Sequence, residues 1–223
     1  MAGKLDARAK LASTLCALFL VASTPFAAWN AFAAYGAVTL LLLVFSGISV
    51  RPVVTRVLTG IPFILLAVLL MSLTQGWERG ITILLKGTLA LILLSLLILS
   101  TEISSLIGAI RKLGAPEVIN LIAAMMLRYV AMLTEEFQRM SRARSARAGA
   151  PLSGIALFQI HGNQAGLLLV RSWERAERIH NAMLSRGFTG TMPELRKEIM
   201  NGRDWLFTAI VITAFGSIRL FLD

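Results

Sequence analysis

Long stretches without a charged side chain divide the sequence, and the first of them is too long for a single membrane crossing. Residues 11–50 form 40 consecutive positions without a charge. As one helix they would extend about 60 Å at ~1.5 Å per residue, twice the ~30 Å of a bilayer's hydrocarbon core. Turn-favouring residues occur at 23–25 and again at 29–30. The pattern therefore predicts two helices that cross, turn and cross back.

Three further apolar blocks predict three more crossings. Residues 57–77 carry no charge, residues 80–101 carry only Lys86, and residues 205–218 carry none. A lysine near a membrane face can extend its amine to the interface, so Lys86 is compatible with a span. The last block is short and reaches a spanning length if Arg219 does the same.

The first apolar block has an alternative interpretation as a secretory signal peptide. Lys4, Arg8 and Lys10 would form its basic start and residues 11–22 its apolar centre. Because a second apolar block at 31–47 follows at once, a hairpin of two helices is the better prediction.

Residues 102–204 differ in kind, since they hold 14 of the 22 Lys and Arg and 9 of the 12 Asp and Glu. Helical periodicity nevertheless continues from Pro116, a favourable first-turn residue. Its apolar positions are Ile119, Ile122, Met126, Tyr129, Val130, Leu133, Phe137 and Met140. This helix should end near 148–151, and a second should run over 166–186 and stop at Gly187. Two long amphipathic helices on the cytoplasmic side are predicted.

These elements predict an all-α polytopic membrane protein with about five transmembrane helices plus long amphipathic cytoplasmic helices. The expected division is four spans in residues 1–101, a cytoplasmic or interfacial region in 102–204 and a last span in 205–223. Lys and Arg precede the first span and lie between the second and third, whereas the intervening turns are poor in them. By the positive-inside rule, the N-terminus is cytoplasmic and the C-terminus lies outside.

Composition supports membrane insertion and argues against a soluble domain. The chain is 57% hydrophobic and only 15% charged, with a mean hydropathy of +0.75. Soluble domains usually hold about 25% charged residues. The excess of 22 Lys and Arg over 12 Asp and Glu could suggest nucleic-acid binding, but topology explains it better in so apolar a chain.

The sequence contains little that points to chemistry within this chain. Cys16 is its one cysteine, His161 and His180 are its only histidines, and no close His and carboxylate cluster accompanies them. A dedicated zinc or cobalt site is therefore not expected. A P-loop, a Gly-x-Ser-x-Gly motif and a His-Glu-x-x-His motif are all absent. Any energy for transport must come from an ion gradient or from another subunit.

Two arginines close the two amphipathic helices in similar settings. Arg147 lies between Ala146 and Ala148, and Arg186 lies between Ser185 and Gly187. An arginine in a last turn complements the helix dipole and a glycine stops the helix, so each site alone has a purely structural explanation. The repetition instead suggests two cationic tips suited to acidic grooves of a cytoplasmic partner.

A basic face on the second of these helices is the other candidate surface. Arg171, Arg175 and Arg178 share it at helical spacing. It is either a solvated face or a surface for a protein partner or phospholipid. On the first helix, Glu135 and Arg139 have the spacing of a favourable i, i+4 pair.

The residues of these helices resemble the transmembrane T component of energy-coupling factor (ECF) transporters, most closely its cobalt/nickel CbiQ type. The similarity is strongest over residues 128–190 and covers nearly the whole chain. Its segments are Leu127-Arg128-Tyr129, Glu135-Glu136, Arg139-Met140, Arg144-Ser145-Ala146-Arg147, Arg171 to Ile179, Ala182-Met183 and Ser185 to Gly190. Residues 5–11 also resemble an opening that in the family often reads Asp-Pro-Arg-x-Lys.

The resemblance implies a bacterial inner-membrane subunit that links two cytoplasmic ABC ATPase subunits to a membrane-embedded metal-binding S component. A small accessory membrane subunit is a further candidate partner, and no nucleic acid is involved. The chain would hold no cofactor of its own, because ATP and magnesium would bind to the ATPases. Its cargo would be cobalt, or else nickel, as in the metal supply for cobalamin biosynthesis, and a vitamin is the alternative.

The family's two Ala-Arg-Gly-like signatures map onto residues 146–148 and 185–187, and both depart from the pattern. Ala148 replaces the usual glycine and Ser185 replaces alanine. The first departure leaves Arg144 open as the signature arginine, although the following Gly149 and Pro151 favour Arg147.

Other classes of protein fit less well. An ordinary ABC permease would carry a Glu-Ala-Ala-x-x-x-Gly loop, which the sequence lacks. A membrane-bound lipid-modifying enzyme would need convergent acids, for which Glu102, Glu135 and Glu136 are the candidates. A channel would need a polar span to line its pore.

Overall fold

The computed structural model describes residues 6–26, 28–148, 154–190 and 200–221. The described chain folds into eight α-helices without strands. They are α1 (Ala7–Ser23), α2 (Trp29–Ser46), α3 (Val50–Gln75), α4 (Trp77–Ser100), α5 (Ile103–Lys112), α6 (Glu117–Ala148), α7 (Ile155–Leu184) and α8 (Gly202–Phe221). The all-α prediction is confirmed.

The helices form two compact units. The first comprises Met1–Gly114 with Arg196–Asp223 and so contains α1–α5 and α8, and the second comprises Ala115–Leu195 with α6 and α7. α5, which the sequence grouped with the cytoplasmic region, thus packs with the first unit.

The core of the first unit lies between α1, α2, α4 and α8. Its centre is a stacked pair of rings, Tyr35 of α2 and Phe215 of α8, whose centroids are 5.3 Å apart. Both side chains are fully buried. The surrounding buried residues are Ala17, Val21, Ala31, Phe32, Leu89, Leu93, Val211 and Ile218. Helices that are apolar on most faces bury the few positions that meet one another and leave the rest for lipid.

Glycines allow α3 and α4 to pack closely. A Cβ added at Gly60 would lie 2.5 Å from Leu91 Cδ1, and one added at Gly87 would lie 3.0 Å from Ile64 Cδ1. Small residues at such positions let helix backbones approach within a membrane, where the hydrophobic effect does not drive helices together.

The opening Asp-x-Arg-x-Lys segment connects the ends of three helices. The Asp6 backbone N–H donates to Asp204 Oδ1 at 3.0 Å, and the Asn201 N–H donates to Asp204 Oδ2 at 2.8 Å. Lys10 Nζ donates to the Ser100 carbonyl at 2.8 Å. The start of α1 is therefore bonded to the start of α8 and to the end of α4.

Lys86 does not simply reach towards water. Its Nζ donates to the carbonyls of Ala22 at 2.9 Å and Thr24 at 2.6 Å, at the end of α1. It also lies 5.2 Å from the centre of the Phe26 ring. A helix leaves its last carbonyls without intrahelical partners, and this lysine supplies donors to two carbonyls at that end.

Five described helices are long and apolar enough to cross a membrane, but this set differs from the predicted one by two helices. They are α2, α3, α4, α6 and α8. The first predicted span, α1, has 17 residues, at the lower end of the spanning range. α6 joins the set because its apolar first half carries few charges, although the sequence predicted a cytoplasmic or interfacial region for residues 102–204. The cytoplasmic position of α6 stays a prediction.

The limits of the amphipathic helices were predicted with unequal success. α6 is helical to Ala148, and the rest of its predicted end at 148–151 lies outside the described residues. α7 begins at Ile155, eleven residues before the predicted start at Gly166, so that prediction was wrong. Residues 155–165, which lie before the predicted start, belong to α7, and Gly162 and Gly166 lie inside it without positive φ.

Candidate coupling helices

A carboxylate on α6 holds two arginines of α7. Glu136 Oε1 lies 3.3 Å from Arg171 Nη1, and its Oε2 lies 3.0 Å from Arg175 Nη2. Arg175 Nη1 also contacts the Met132 sulfur at 2.9 Å. The Glu136 side chain is only 13% exposed. One partly buried carboxylate with a guanidinium on each oxygen is a geometrically specific cross-link between two helices.

This cross-link changes the interpretation of the predicted basic face. Arg171 and Arg175 are engaged within the protein, although the Arg171 side chain stays 49% exposed. Arg178 lies 3.9 Å from Glu174, with both side chains well exposed. Such an exposed pair contributes little. Sequence reasoning singled out Glu135 and its spacing to Arg139, whereas the structure places Glu136 in the ion pairs.

The missed residue had a signal in the sequence. Arg171 and Arg175 are one helical turn apart, a spacing that can receive a single carboxylate from a neighbouring helix. Glu136 is the acid of the Glu135-Glu136 pair that faces α7. The sequence could not decide which of the two adjacent acids does so, because one residue rotates a side chain by about 100° around a helix.

The first candidate tip lies in the last turn of α6. Arg147 and Ala146 are exposed there, and Ala148 is the final helical residue. Arg144 is half-buried, and its Nε is enclosed without a hydrogen-bond partner among the described residues. The predicted turn at Gly149–Pro151 lies outside the described residues. Arg147 thus presents a more accessible guanidinium than Arg144.

The second candidate tip is a helix-ending turn after α7. The Phe188 N–H donates to the Met183 carbonyl at 3.1 Å and the Gly187 N–H to the Leu184 carbonyl at 3.0 Å. This pair of bonds is the Schellman arrangement, and Gly187 has the positive φ, 78°, that it requires. Ser185 Oγ donates to the Asn181 carbonyl at 2.9 Å. Arg186 is therefore held, exposed, immediately before a fixed turn.

The cross-link stands at similar chain distances from the two tips. Arg147 follows Glu136 by eleven residues, and Arg186 follows Arg175 by eleven. At ~1.5 Å per helical residue, each tip arginine therefore lies about 16 Å along the axis from the residue of its own helix that forms the ion pair.

Both helices expose apolar side chains beside these polar features. On α6 they include Ile119, Ile122, Met126 and Val130, and on α7 Phe158, Leu169 and Trp173. Their spacing places each set along one side of its helix. Contiguous exposed apolar surface of this kind is typical of a membrane or protein contact.

The described residues contain no group of three His, Cys, Asp or Glu side chains that could hold a metal ion. His161 interacts instead with neighbours in its own unit, with Nδ1 3.2 Å from Gln164 Oε1 and its ring 6.2 Å from that of Phe137.

Comparison with known proteins identifies relatives of the chain. An uncharacterized protein of Methanocaldococcus jannaschii is 28% identical over 176 residues, covering 77% of this chain and 60% of the relative. The energy-coupling factor transporter transmembrane protein EcfT of Brevibacillus brevis is 29% identical over 151 residues, covering 62% of this chain and 57% of the relative. The chain thus spans somewhat more than half the length of these two relatives.

A family model described as CbiQ, cobalt transport protein, matches residues 2–198. The match includes α1–α7 and both arginine tips. It agrees with the resemblance found in the sequence and with the apolar helices of an integral membrane protein. With nearly the whole described fold inside the match, the chain belongs to the CbiQ cobalt transport protein family.

Proposed function

We propose that this chain is the T component of an ECF importer, the subunit that couples ATP hydrolysis by two cytoplasmic ATPases to a membrane-embedded substrate-binding S component. The observation that carries the proposal is the α6–α7 unit, two long helices cross-linked by Glu136, each with an arginine at its end. Membership of the CbiQ family and the EcfT relative support the same assignment.

In this proposal Arg147 and Arg186 are the contacts for the ATPases. Each arginine would enter an acidic groove, where a guanidinium can bind a carboxylate through two parallel hydrogen bonds. Ala146, Ala148, Ser185 and Gly187 would allow close approach because their side chains are small. Arg144, Arg139, Glu135 and Arg178 would play supporting parts at most.

Glu136 has a mechanical part in the proposal. When the ATPases close on ATP, the two tips are displaced, and a cross-link at similar distance from both makes α6 and α7 respond together. Without it each helix would bend or slide alone, and the displacement would be lost before it reached the S component. The exposed apolar sides of α6 and α7 would carry the movement to that partner.

The cargo in this proposal is cobalt, with nickel next and a vitamin as the alternative. Support for a metal comes from the family description alone. ATP and magnesium would bind to the ATPases, and the metal to the S component, so this chain would act without a cofactor. The N-terminus and the arginine tips would face the cytoplasm of a bacterial inner membrane.

The test is co-purification of the tagged chain with its candidate ATPases from membranes. The Arg147→Glu, Arg186→Glu double variant is compared with wild type and with an Arg142→Glu, Arg178→Glu variant, which reverses two exposed charges on the same helices. Wild type and the control should retain the ATPases, and the tip variant should lose them while still inserting in the membrane.

Two results would contradict the proposal. Wild type that captures no ATPase removes the coupling role itself. Equal loss in both double variants indicates a general basic surface instead of two defined tips. For the cargo, cells that carry the whole transporter should accumulate radioactive cobalt, and uptake of a vitamin alone would reject the metal assignment.

A further inference from the structure

A groove of about 940 Å³ opens in the first unit between α1, α2, α4 and α8. None of its lining residues belongs to α6 or α7, and the proposed coupling role does not use it. Its polar lining consists of Lys10, Ser13, Thr14, Ser46, Ser100, Asn201, Arg203 and Asp204. Its apolar lining consists of Ala17, Leu42, Phe45, Leu93, Leu96, Leu97, Phe207, Ile210 and Val211.

The polar residues lie at the same end of all four helices. On α1 the lining passes from Lys10 to Ala17, and on α4 it passes from Ser100 back to Leu93. Near the start of α8 the lining changes from polar Asn201 to apolar Val211. On α2 it changes in the same way from Ser46 to Leu42. Seven helical residues span about 10 Å, so the groove changes from polar to apolar over roughly the depth of one membrane interface.

Charge at the polar end favours an anionic ligand. Lys10 and Arg203 contribute two positive charges and Asp204 one negative charge. Both Asp204 oxygens already accept backbone N–H groups, from Asp6 and Asn201. Arg203 is exposed and forms no ion pair within the described residues. A phosphate would therefore meet a net cationic site whose one carboxylate is already occupied.

The apolar end of the groove is open at its margin. Its floor is formed by buried Leu93, Leu96 and Leu97, whereas Phe45 at 75% and Ile210 at 56% exposure stand at its margin. A water-soluble ligand would gain nothing from contact with this apolar half of the groove, whereas an acyl chain would bury apolar surface in it.

We propose that the groove binds one anionic phospholipid, with the phosphate at Lys10 and Arg203 and an acyl chain against the leucine floor. Such a lipid would fill the space between the helix ends that Asp6, Lys10 and Asp204 bond together. Recognition would combine the attraction of basic residues for anionic lipid with burial of apolar surface.

The test is native mass spectrometry of the detergent-purified full chain with dioleoyl phosphatidylglycerol or dioleoyl phosphatidylcholine at equal concentrations. One phosphatidylglycerol should be retained over phosphatidylcholine. Arg203→Gln should weaken its retention about fivefold, as expected for one basic residue at an anionic headgroup. The control Arg56→Gln removes an exposed arginine outside the groove and should leave retention unchanged.

A second pair of variants tests the apolar half. Ile210→Trp should fill the groove and reduce retention, while Leu66→Trp, at an exposed α3 position outside the groove, should not. The proposal is overturned by equal retention of the two lipids or by wild-type retention in both groove variants. It is also overturned if millimolar glycerol phosphate alone displaces the lipid, which would indicate a free-phosphate site. Protection of the groove by a protein partner in the assembled transporter, with no lipid bound, would reject it as well.

Discussion

Glu136 of α6 and Arg175 of α7 form a 3.0 Å ion pair, and eleven residues separate each of them from the arginine that follows at the end of its helix. Arg171 binds the other oxygen of the same carboxylate at 3.3 Å. One carboxylate of α6 therefore binds two arginines of α7, and the ends of these two helices are the candidate docking points. An exposed pair elsewhere on these helices, Arg178 with Glu174 at 3.9 Å, has no comparable geometry.

Glu136→Gln should uncouple transport without releasing the ATPases. The amide keeps the size of the side chain but loses the charge that both arginines share, which weakens the cross-link. We expect ATPases to co-purify normally and metal uptake per ATP hydrolysed to fall several-fold. Uptake and ATPase activity of the reconstituted transporter measure the ratio.

A charge exchange controls for unfolding. Glu136→Arg combined with Arg175→Glu restores one ion pair with its polarity reversed, so it should recover part of the coupling that Glu136→Arg alone removes. The control Glu174→Gln alters only an exposed pair and should behave as wild type. If Glu136→Gln transports normally, the cross-link has no part in coupling.

Asp204→Ala should destabilise the first unit more than Asp204→Asn. The carboxylate is 3% exposed and accepts the N–H groups of Asp6 and Asn201. Alanine leaves the buried Asp6 N–H and the part-buried Asn201 N–H without acceptors, and the buried one alone costs about 1–3 kcal/mol. Asparagine keeps one acceptor oxygen. Thermal unfolding in detergent should rank wild type above Asn and Asn above Ala, and equal melting temperatures would contradict this role.

Helix boundaries were predicted well where local turn and charge patterns are simple, and less well elsewhere. The turn at 23–30 and the stop at Gly187 follow from local chemistry, and the structure confirms them. The predicted start of α7 at Gly166 is eleven residues too late, because the glycines at 162 and 166 have weak helix propensity. A glycine inside a helix costs about 1 kcal/mol relative to alanine, and the good helix formers around these two exposed positions offset that cost.

The candidate site was predicted in part for the same reason. Arg147 and Arg186 were found from their repeated small-residue settings, which are local in sequence. Glu136 was passed over because its partners, Arg171 and Arg175, lie 35 or more residues away. Lys86 shows the same limit, since its acceptors at Ala22 and Thr24 belong to another helix end. A single sequence does not pair residues across such distances.

Gly60→Leu should separate α3 from α4. The position of its Cβ would fall 2.5 Å from Leu91 Cδ1, so a larger side chain forces repacking at an expected cost of about 1–3 kcal/mol. Gly36→Leu is the matched control, because an added Cβ there meets nothing within 4 Å. The melting temperature in detergent should fall for the first variant and stay near wild type for the second. An equal fall in both would point to a general intolerance of large residues.

Arg147→Ala should reduce ATPase recovery far more than Arg144→Ala, which settles the register that the sequence left open. Arg147 is exposed in the last turn of α6, whereas Arg144 is half-buried with its Nε enclosed. Truncating one partner of a buried interfacial charge pair typically costs about 2–5 kcal/mol, so recovery should drop at least tenfold for Arg147→Ala. Quantitative co-purification with equal membrane levels of both variants makes the comparison, and Arg147→Lys should restore only part of the binding because lysine lacks the planar fork. The opposite ranking would assign the first signature to Arg144, and the enclosed Nε would then have to become accessible when the ATPases bind.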